Sequence, residues 1–352
     1  MVKDLSKKGA FLDGDVGIAR YDRQRYAMFE KLTERQLGYF WRPQEVDITR
    51  DASDFKNLSP QGQHIFTSNL KRQILLDTVQ GRSPSLAFLP LASLPEIEVW
   101  IQTWTFFETI HSRSYTHIIR NVYPNPGKVF DTIMDIPEIA ECATAINGPY
   151  DELEEVVRHP GAFSDYEQKR RLWNCIVAVN VLEGIRFYVS FACSWAFAEQ
   201  KTMEGNAKII KLIARDENLH LAGTQHLIKI LQKEDETYAQ IAKDCYEENR
   251  QMFIDAAEQE KRWAAYLFKD GSILGLTERM VCDYINWLTA KRMKAAGYEP
   301  IEAPAENPLP FTERWIAGEN VQVAPQETEI SSYTIGQIKQ DVKKDTFAGF
   351  SL

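Results

Sequence analysis

The 352-residue chain has only five cysteines, at 142, 175, 193, 245 and 282, and no two stand in CxxC spacing. An odd number without paired spacing argues against a disulfide framework and a cysteine zinc site. Cys175 and Cys193 lie in apolar, helix-like stretches. All five read as reduced packing residues of a reducing compartment, and the expected location is the cytoplasm. Positive charge is not in surplus: 41 Lys and Arg face 50 Asp and Glu, a formal net charge of -9. A nucleic-acid backbone wants clustered cations, so no nucleic-acid partner is expected. Long hydrophobic runs are missing too. The longest uncharged apolar stretch worth testing, Phe187 to Ala198, is closed by Arg186 and Glu199. That is short of the roughly 20 residues a bilayer requires, and no membrane association is expected. Met1 to Gly17 is charged and lacks the apolar centre of a secretory signal. Nowhere do apolar and polar residues alternate for long enough to mark a sheet.

What the chain has is helical periodicity, from about Arg23 to Gly297, in a composition 44% hydrophobic and 26% charged. Breakers are sparse and cluster at Gly81-Arg-Ser-Pro84, Tyr123-Pro-Asn-Pro-Gly127, His159-Pro-Gly161 and Asp270-Gly271. Long helices joined by short connections predict an all-α bundle with a central four-helix core and flanking helices. The expected organisation is an N-terminal arm over 1–22, a helical domain over 23–299 and a tail over 300–352. Pro300, Pro304, Pro308 and Pro310 break any helix at the start of that tail. From Asn320 it is polar, with an apolar tip at Ala348-Gly-Phe-Ser-Leu352, the pattern either of a fraying terminus or of a segment that orders on a partner.

Two helical segments carry Glu-x-x-His, Glu108-Thr-Ile-His111 and Glu217-Asn-Leu-His220. Three residues make about one turn, so each pair aims an oxygen and a nitrogen the same way, as a shared metal ion needs. The spacing alone decides little, because 50 of 352 residues are acidic and an acid precedes a given histidine by three about one time in seven. Context decides. Ile97, Ile101, Trp104, Glu108, His111, Tyr115 and Ile118 step by four and three, and Asn206, Ile210, Ile213, Glu217 and His220 do the same. Both are inward-facing stripes. Two further stripes hold one carboxylate each: Phe66, Leu70, Ile74, Asp77, and Leu172, Ile176, Val179, Glu183, Phe187. Four carboxylates in an apolar interior demand compensating positive charge, and no matching set of inward Lys or Arg exists. Two divalent cations meet the demand. Each half of the chain reads single carboxylate, then Glu-x-x-His, which is the arrangement of ferritin-like di-iron carboxylate bundles. Oxygen and imidazole ligands without thiolate suit iron or manganese.

Tyr115 stands one turn beyond His111 on the same face, where a tyrosine usually just packs but here would also lie within reach of a metal pair able to activate oxygen. Phe187 and Phe191 follow Glu183 at four and eight, and Ile213 precedes Glu217 by four. Together these three offer an apolar sleeve in which a phenoxyl radical on Tyr115 would be sheltered. His64, His117, His159 and His226 have no comparable partners and read as structural or surface residues.

At these residues the chain resembles the small, radical-generating subunit of class Ia ribonucleotide reductase, in the ferritin-like di-iron superfamily. The likeness rests on Phe40-Trp-Arg-Pro43, Leu75-Leu-Asp-Thr-Val-Gln-Gly-Arg-Ser-Pro84, Glu108-Thr-Ile-His-Ser-Arg-Ser-Tyr-Thr-His117, Leu182-Glu-Gly-Ile-Arg-Phe-Tyr-Val-Ser-Phe191, Leu212-Ile-Ala-Arg-Asp-Glu-Asn-Leu-His220 and Asn320-Val-Gln-Val-Ala-Pro-Gln-Glu327. It runs from about Ile18 to the C-terminus. The resemblance implies that Asp77, Glu108 and His111 bind one iron and Glu183, Glu217 and His220 the other, with Glu108 and Glu217 bridging. It implies a stable radical on Tyr115 formed with O2, an extra electron delivered through Trp41, and Asp216 joining His111 to Trp41. Glu327 and Tyr333 would pass the radical to a large subunit that docks the tail and reduces ribonucleoside diphosphates. A homodimer and an external electron donor are also implied. The segment Val156 to Gln168 is too short for the small hairpin some relatives carry, and Lys339, Lys343 and Lys344 make the tail less acidic than theirs.

Two other readings share the ligand set: another di-metal oxidase or desaturase, and an iron-handling ferritin-like protein with no radical. Tyr115 beside the ligands, Asp77 in place of a first glutamate and a tail with Tyr333 favour the reductase subunit over both.

Overall fold

A computed structural model describes residues 7–273 and 275–316. Helices α1 (Ala27–Gly38), α2 (Asp51–Asn57), α3 (Pro60–Gln80), α4 (Pro95–Val122), α5 (Pro126–Asp131) and α6 (Pro137–Arg158) make the first half. The second half is α7 (Asp165–Val181), α8 (Tyr188–Glu199), α9 (Glu204–Glu234), α10 (Glu236–Asp244), α11 (Tyr246–Leu267), α12 (Glu278–Ala296) and α13 (Phe311–Ile316). Among the described residues no strand forms, only two isolated bridges, Phe11 with Ala92 and Ile273 with Leu276. The short segment after α6 holds a single 3-10 turn, Pro160–Ala162, and no hairpin. One expectation fails locally. Pro310 does not end helical structure but precedes α13, because a proline just ahead of a first turn forfeits no helical hydrogen bond.

The helix ends follow local chemistry. Ser59 accepts from the Gly62 N–H with Pro60 at the first position of α3, and Ser164 accepts from Glu167 N–H at the start of α7. One end is capped from far away. Both carboxylate oxygens of buried Asp51 in α2 take the Gly205 and Asn206 N–H groups at 3.1 and 2.6 Å, and Asp54 takes Met203 N–H at 3.0 Å. Negative charge on the orphan donors of a helix N-terminus is favourable, so α2 pins the start of α9.

α3, α4, α8 and α9 pack against one another, with α7 against α9, and the other helices flank this core. Between α7 and α8 the chain does not break. Residues Leu182–Arg186 form a π turn that joins them into one helical run, Asp165–Glu199. This run is long and apolar enough to cross a membrane, which the shorter stretch read from the sequence was not, but its apolar window is 94% buried among the other helices. It is a core helix. α4 and α9 approach closely at Gly223, where an added Cβ would lie 2.8 Å from Trp100 Nε1. The Trp100 indole is fully buried and packs on His220, so it cannot give way. Gly223→Ala is therefore expected to cost about 1–3 kcal/mol in chemical denaturation.

Candidate metal centre

The four core rods bring the six ligand candidates together. Asp77 comes from the last turn of α3, Glu108 and His111 from the middle of α4, Glu183 from the π turn, and Glu217 and His220 from α9. All six are fully buried. His111 Nδ1 lies 3.2 Å from Glu108 Oε2 and 3.2 Å from Glu217 Oε1. His220 Nδ1 lies 2.9 Å from Glu108 Oε1 and 3.0 Å from Glu217 Oε2. The Nδ1 of each imidazole thus sits between the same two carboxylates, as donors gathered around a cation would. Ligand atoms of Asp77, Glu108, His111 and Glu217 all fall within 4.8 Å of one another, as do those of Glu108, Glu183, Glu217 and His220. Glu108 and Glu217 belong to both groups.

Several buried atoms here have no hydrogen-bond partner among the described residues: both oxygens of Asp77, Glu183 Oε2, His220 Nε2 and the Tyr115 hydroxyl. Such orphans are costly unless something outside the protein engages them. The proton affinities say the same. Burial, and then the charge of Glu108, push Asp77 well above the carboxylate range. Burial and the neighbouring Glu217 raise Glu183, and burial with Glu108 lifts Glu217 to about 8. Burial also opposes ionisation of Glu108, but His220 and His111 outweigh it and hold this carboxyl at about 2. For His111, burial disfavours the cation, yet hydrogen bonds to Asp216, Glu108 and Glu217 raise its pKa well above the usual value. Without cations the cluster must take up protons. The donor set, its crowding and its orphaned oxygens fit two divalent ions.

A second connection leaves the cluster on one side only. His111 Nε2 lies 3.2 Å from Asp216 Oδ2, and the Trp41 indole N–H donates to that same oxygen at 2.8 Å. Arg215 donates to Asp216 Oδ1 at 3.3 Å.

With this geometry in hand, the comparisons with known proteins are decisive. Residues 20–308 match the family described as ribonucleotide reductase, small chain. The chain belongs to that family. The beta subunit of ribonucleoside-diphosphate reductase from Buchnera aphidicola subsp. Schizaphis graminum is 51% identical, over 98% of this chain and 96% of its own. The R2 subunit of Clostridium botulinum superposes with a TM-score of 0.77 at 27% identity, covering 88% of this chain and 94% of that one. The dimanganese(II) NrdF of Streptococcus sanguinis shares the fold, with a TM-score of 0.68 at 18% identity over 84% and 98% of the two chains. The protein is the small subunit of a ribonucleotide reductase, with the ferritin-like all-α fold, and it works with a large subunit.

In this small chain Phe187, Phe191 and Ile213 are fully buried, the two phenyl rings stacked with centroids 5.6 Å apart. Glu327 and Tyr333 lie outside the described residues. The four remaining histidines stay away from the cluster: His64 bonds the Tyr266 carbonyl and His226 packs on Phe29. All five cysteines are free, four of them buried. Sequence reasoning missed three polar contacts. Trp104 Nε1 donates to Glu108 Oε1 at 2.8 Å, Gln80 donates to Glu183 Oε1 at 2.5 Å, and Tyr150 donates to Gln80 at 2.8 Å. The i−4 spacing of Trp104 to Glu108 and the i+3 spacing of Gln80 to Asp77 were the available signals; Tyr150 has none.

The raised carboxyls give a testable pH dependence. A carboxyl whose pKa rises on folding stabilises the fold fully below its unfolded value, and that contribution is lost as pH climbs through the folded value. For Glu217 the window runs from the ordinary 4.5 to about 8. Metal-free small chain is expected to lose stability across this window in urea melts, and saturating divalent cation is expected to remove the slope.

Proposed function

We propose that the small chain holds two iron ions and stores an oxidising equivalent as a stable radical on Tyr115, for use by the large subunit in reducing ribonucleoside diphosphates. The observation that carries this reading is the pair of four-residue groups sharing Glu108 and Glu217, beside a buried tyrosine. Asp77, Glu108 and His111 would hold one ion, Glu183, Glu217 and His220 the other, and the two shared glutamates would bridge. Iron with dioxygen supplies the oxidising power when bound, and manganese suits the same oxygen and nitrogen donors.

The chain's own residues do the rest. The Tyr115 hydroxyl is pushed to hold its proton by burial and then by the charge of Asp77, so the phenol gives up proton and electron together, with Asp77 placed to receive the proton. Phe187, Phe191 and Ile213 keep water and reductants away. Trp41 supplies the extra electron, and Asp216 links its indole to His111 while fixing which imidazole nitrogen faces the carboxylates. In the tail, Glu327 and Tyr333 carry the radical onward and the last residues dock on the large subunit. Phe40 and Phe106 stack at 6.3 Å on the surface, and they suit burial by a second copy in a homodimer. With a net charge of -9 and its apolar run internal, the subunit works in the cytoplasm without nucleic acid or membrane.

Adding iron(II) and then oxygen to the metal-free chain is expected to give a tyrosyl EPR signal. In Trp41→Phe the indole N–H is lost, and the same addition is expected to give a lower and later radical yield with unchanged iron content. An unaltered time course in that variant would remove Trp41 from the pathway.

A further inference from the structure

The two single carboxylates of the centre are held in different ways. Asp77 sits on regular helix and neither of its oxygens is hydrogen-bonded among the described residues. Glu183 sits on the π turn, where the regular i to i−4 ladder is interrupted, and its support comes from side chains. Gln80 donates its amide to Glu183 Oε1 at 2.5 Å, and Tyr150 donates its hydroxyl to Gln80 Oε1 at 2.8 Å. The three residues come from the end of α3, the π turn and α6. Gln80 and Glu183 are fully buried and Tyr150 is 2% exposed, so no solvent competes for these bonds.

With Glu183 ionised, as a metal ligand must be, the polarity of the chain follows. A carboxylate only accepts, which turns the Gln80 NH2 toward Glu183 and its oxygen toward Tyr150, and a phenol can donate to that oxygen. Burial raises the Tyr150 pKa well above its usual value and keeps the donor protonated. The Tyr150 ring also lines a cavity of about 250 Å³ with Cys175, Val179 and Leu182. The ring packs on Phe88 with centroids 5.9 Å apart, and its hydroxyl bond adds a polar anchor. Glu183 is left with a single free oxygen, Oε2.

We infer that Gln80, locked by Tyr150, is a positioning residue that fixes Glu183 and thereby sets the affinity of one metal position, the one formed with Glu108, Glu217 and His220. Asp77 has the Tyr115 hydroxyl beside it and no such clamp, so the two positions are tuned separately. This rests on the dinuclear reading above.

The test is a manganese(II) titration of the full metal-free chain, with free manganese followed by EPR. The parent is expected to bind two ions. Gln80→Met keeps the side-chain volume and removes the donor. It should keep one tight ion, with the six-line signal of an isolated site, and bind the second about 10- to 100-fold more weakly, as loss of an outer hydrogen bond to a ligand does. Tyr150→Phe keeps the ring and should fall between parent and Gln80→Met. Each variant strands a buried polar group, so the metal-free chain should melt somewhat lower, but a merely structural role would weaken both positions together, whereas the clamp weakens only one. Two equally tight ions on Gln80→Met, or equal weakening of both, would overturn the clamp and leave the dinuclear reading intact. Fewer than two ions on the parent would sink the dinuclear reading and the clamp with it.

Discussion

Tyr115→Phe is expected to yield a small chain that takes up its full complement of metal, shows no tyrosyl EPR signal and supports no ribonucleotide reduction with the large subunit. The substitution removes one oxygen atom from a fully buried ring. That oxygen makes no well-formed hydrogen bond, and the group facing it is Asp77, so its loss costs the fold little. The fold should be unharmed, and the metal-free variant should melt no lower than the parent. Only the redox-active phenol disappears. Activity measured with the large subunit and radical content measured by EPR should therefore fall together to background. Full activity in this variant would end the assignment of the radical to Tyr115.

Removing a shared carboxylate should have a different and equally large effect. In Glu108→Ala both four-residue groups lose a member, so both ions should be lost. Losing an outer partner alone typically costs 10- to 100-fold in metal affinity, so losing a direct donor should cost on the order of 100-fold or more for each ion. Asp77→Ala, by contrast, touches one group and should spare the ion held with Glu183 and His220. Metal content after gel filtration separates the two cases. Equal loss in both variants would contradict the bridging role. The Glu108 variant should still fold. It strands the Trp104 N–H, at about 1–3 kcal/mol, but it also removes the charge that raises Asp77 and Glu217.

Much of this centre was legible in the sequence because helices convert spacing into direction. Asp77, Glu108, His111, Glu183, Glu217 and His220 were readable as one cluster since each occupied an inward stripe that only compensating charge tolerates. Tyr115 followed from its one-turn offset. What could not be read depends on partners distant in the chain. Asp51 and Asp54 look like surface acids of a short helix, and their grip on the start of α9 spans some 150 positions. Gln80 and Tyr150 meet across 70 residues, and nothing in either local pattern announces the other. The helix after Pro310 was missed for a simpler reason, since a proline stops a helix behind it but readily starts one ahead.

The π turn at Leu182–Arg186 has a consequence for how the Asp165–Glu199 rod can vary. One residue in an α-helix corresponds to about 100° of rotation. Deleting a single residue here, and so restoring ordinary winding, would swing α8 with Phe191 by that angle relative to α7. Either Phe191 or the Glu183 carboxylate would then face the wrong way. The extra residue works as a phase shifter that lets two differently demanding faces share one rod, so length changes should be tolerated at the rod's ends and not at this joint.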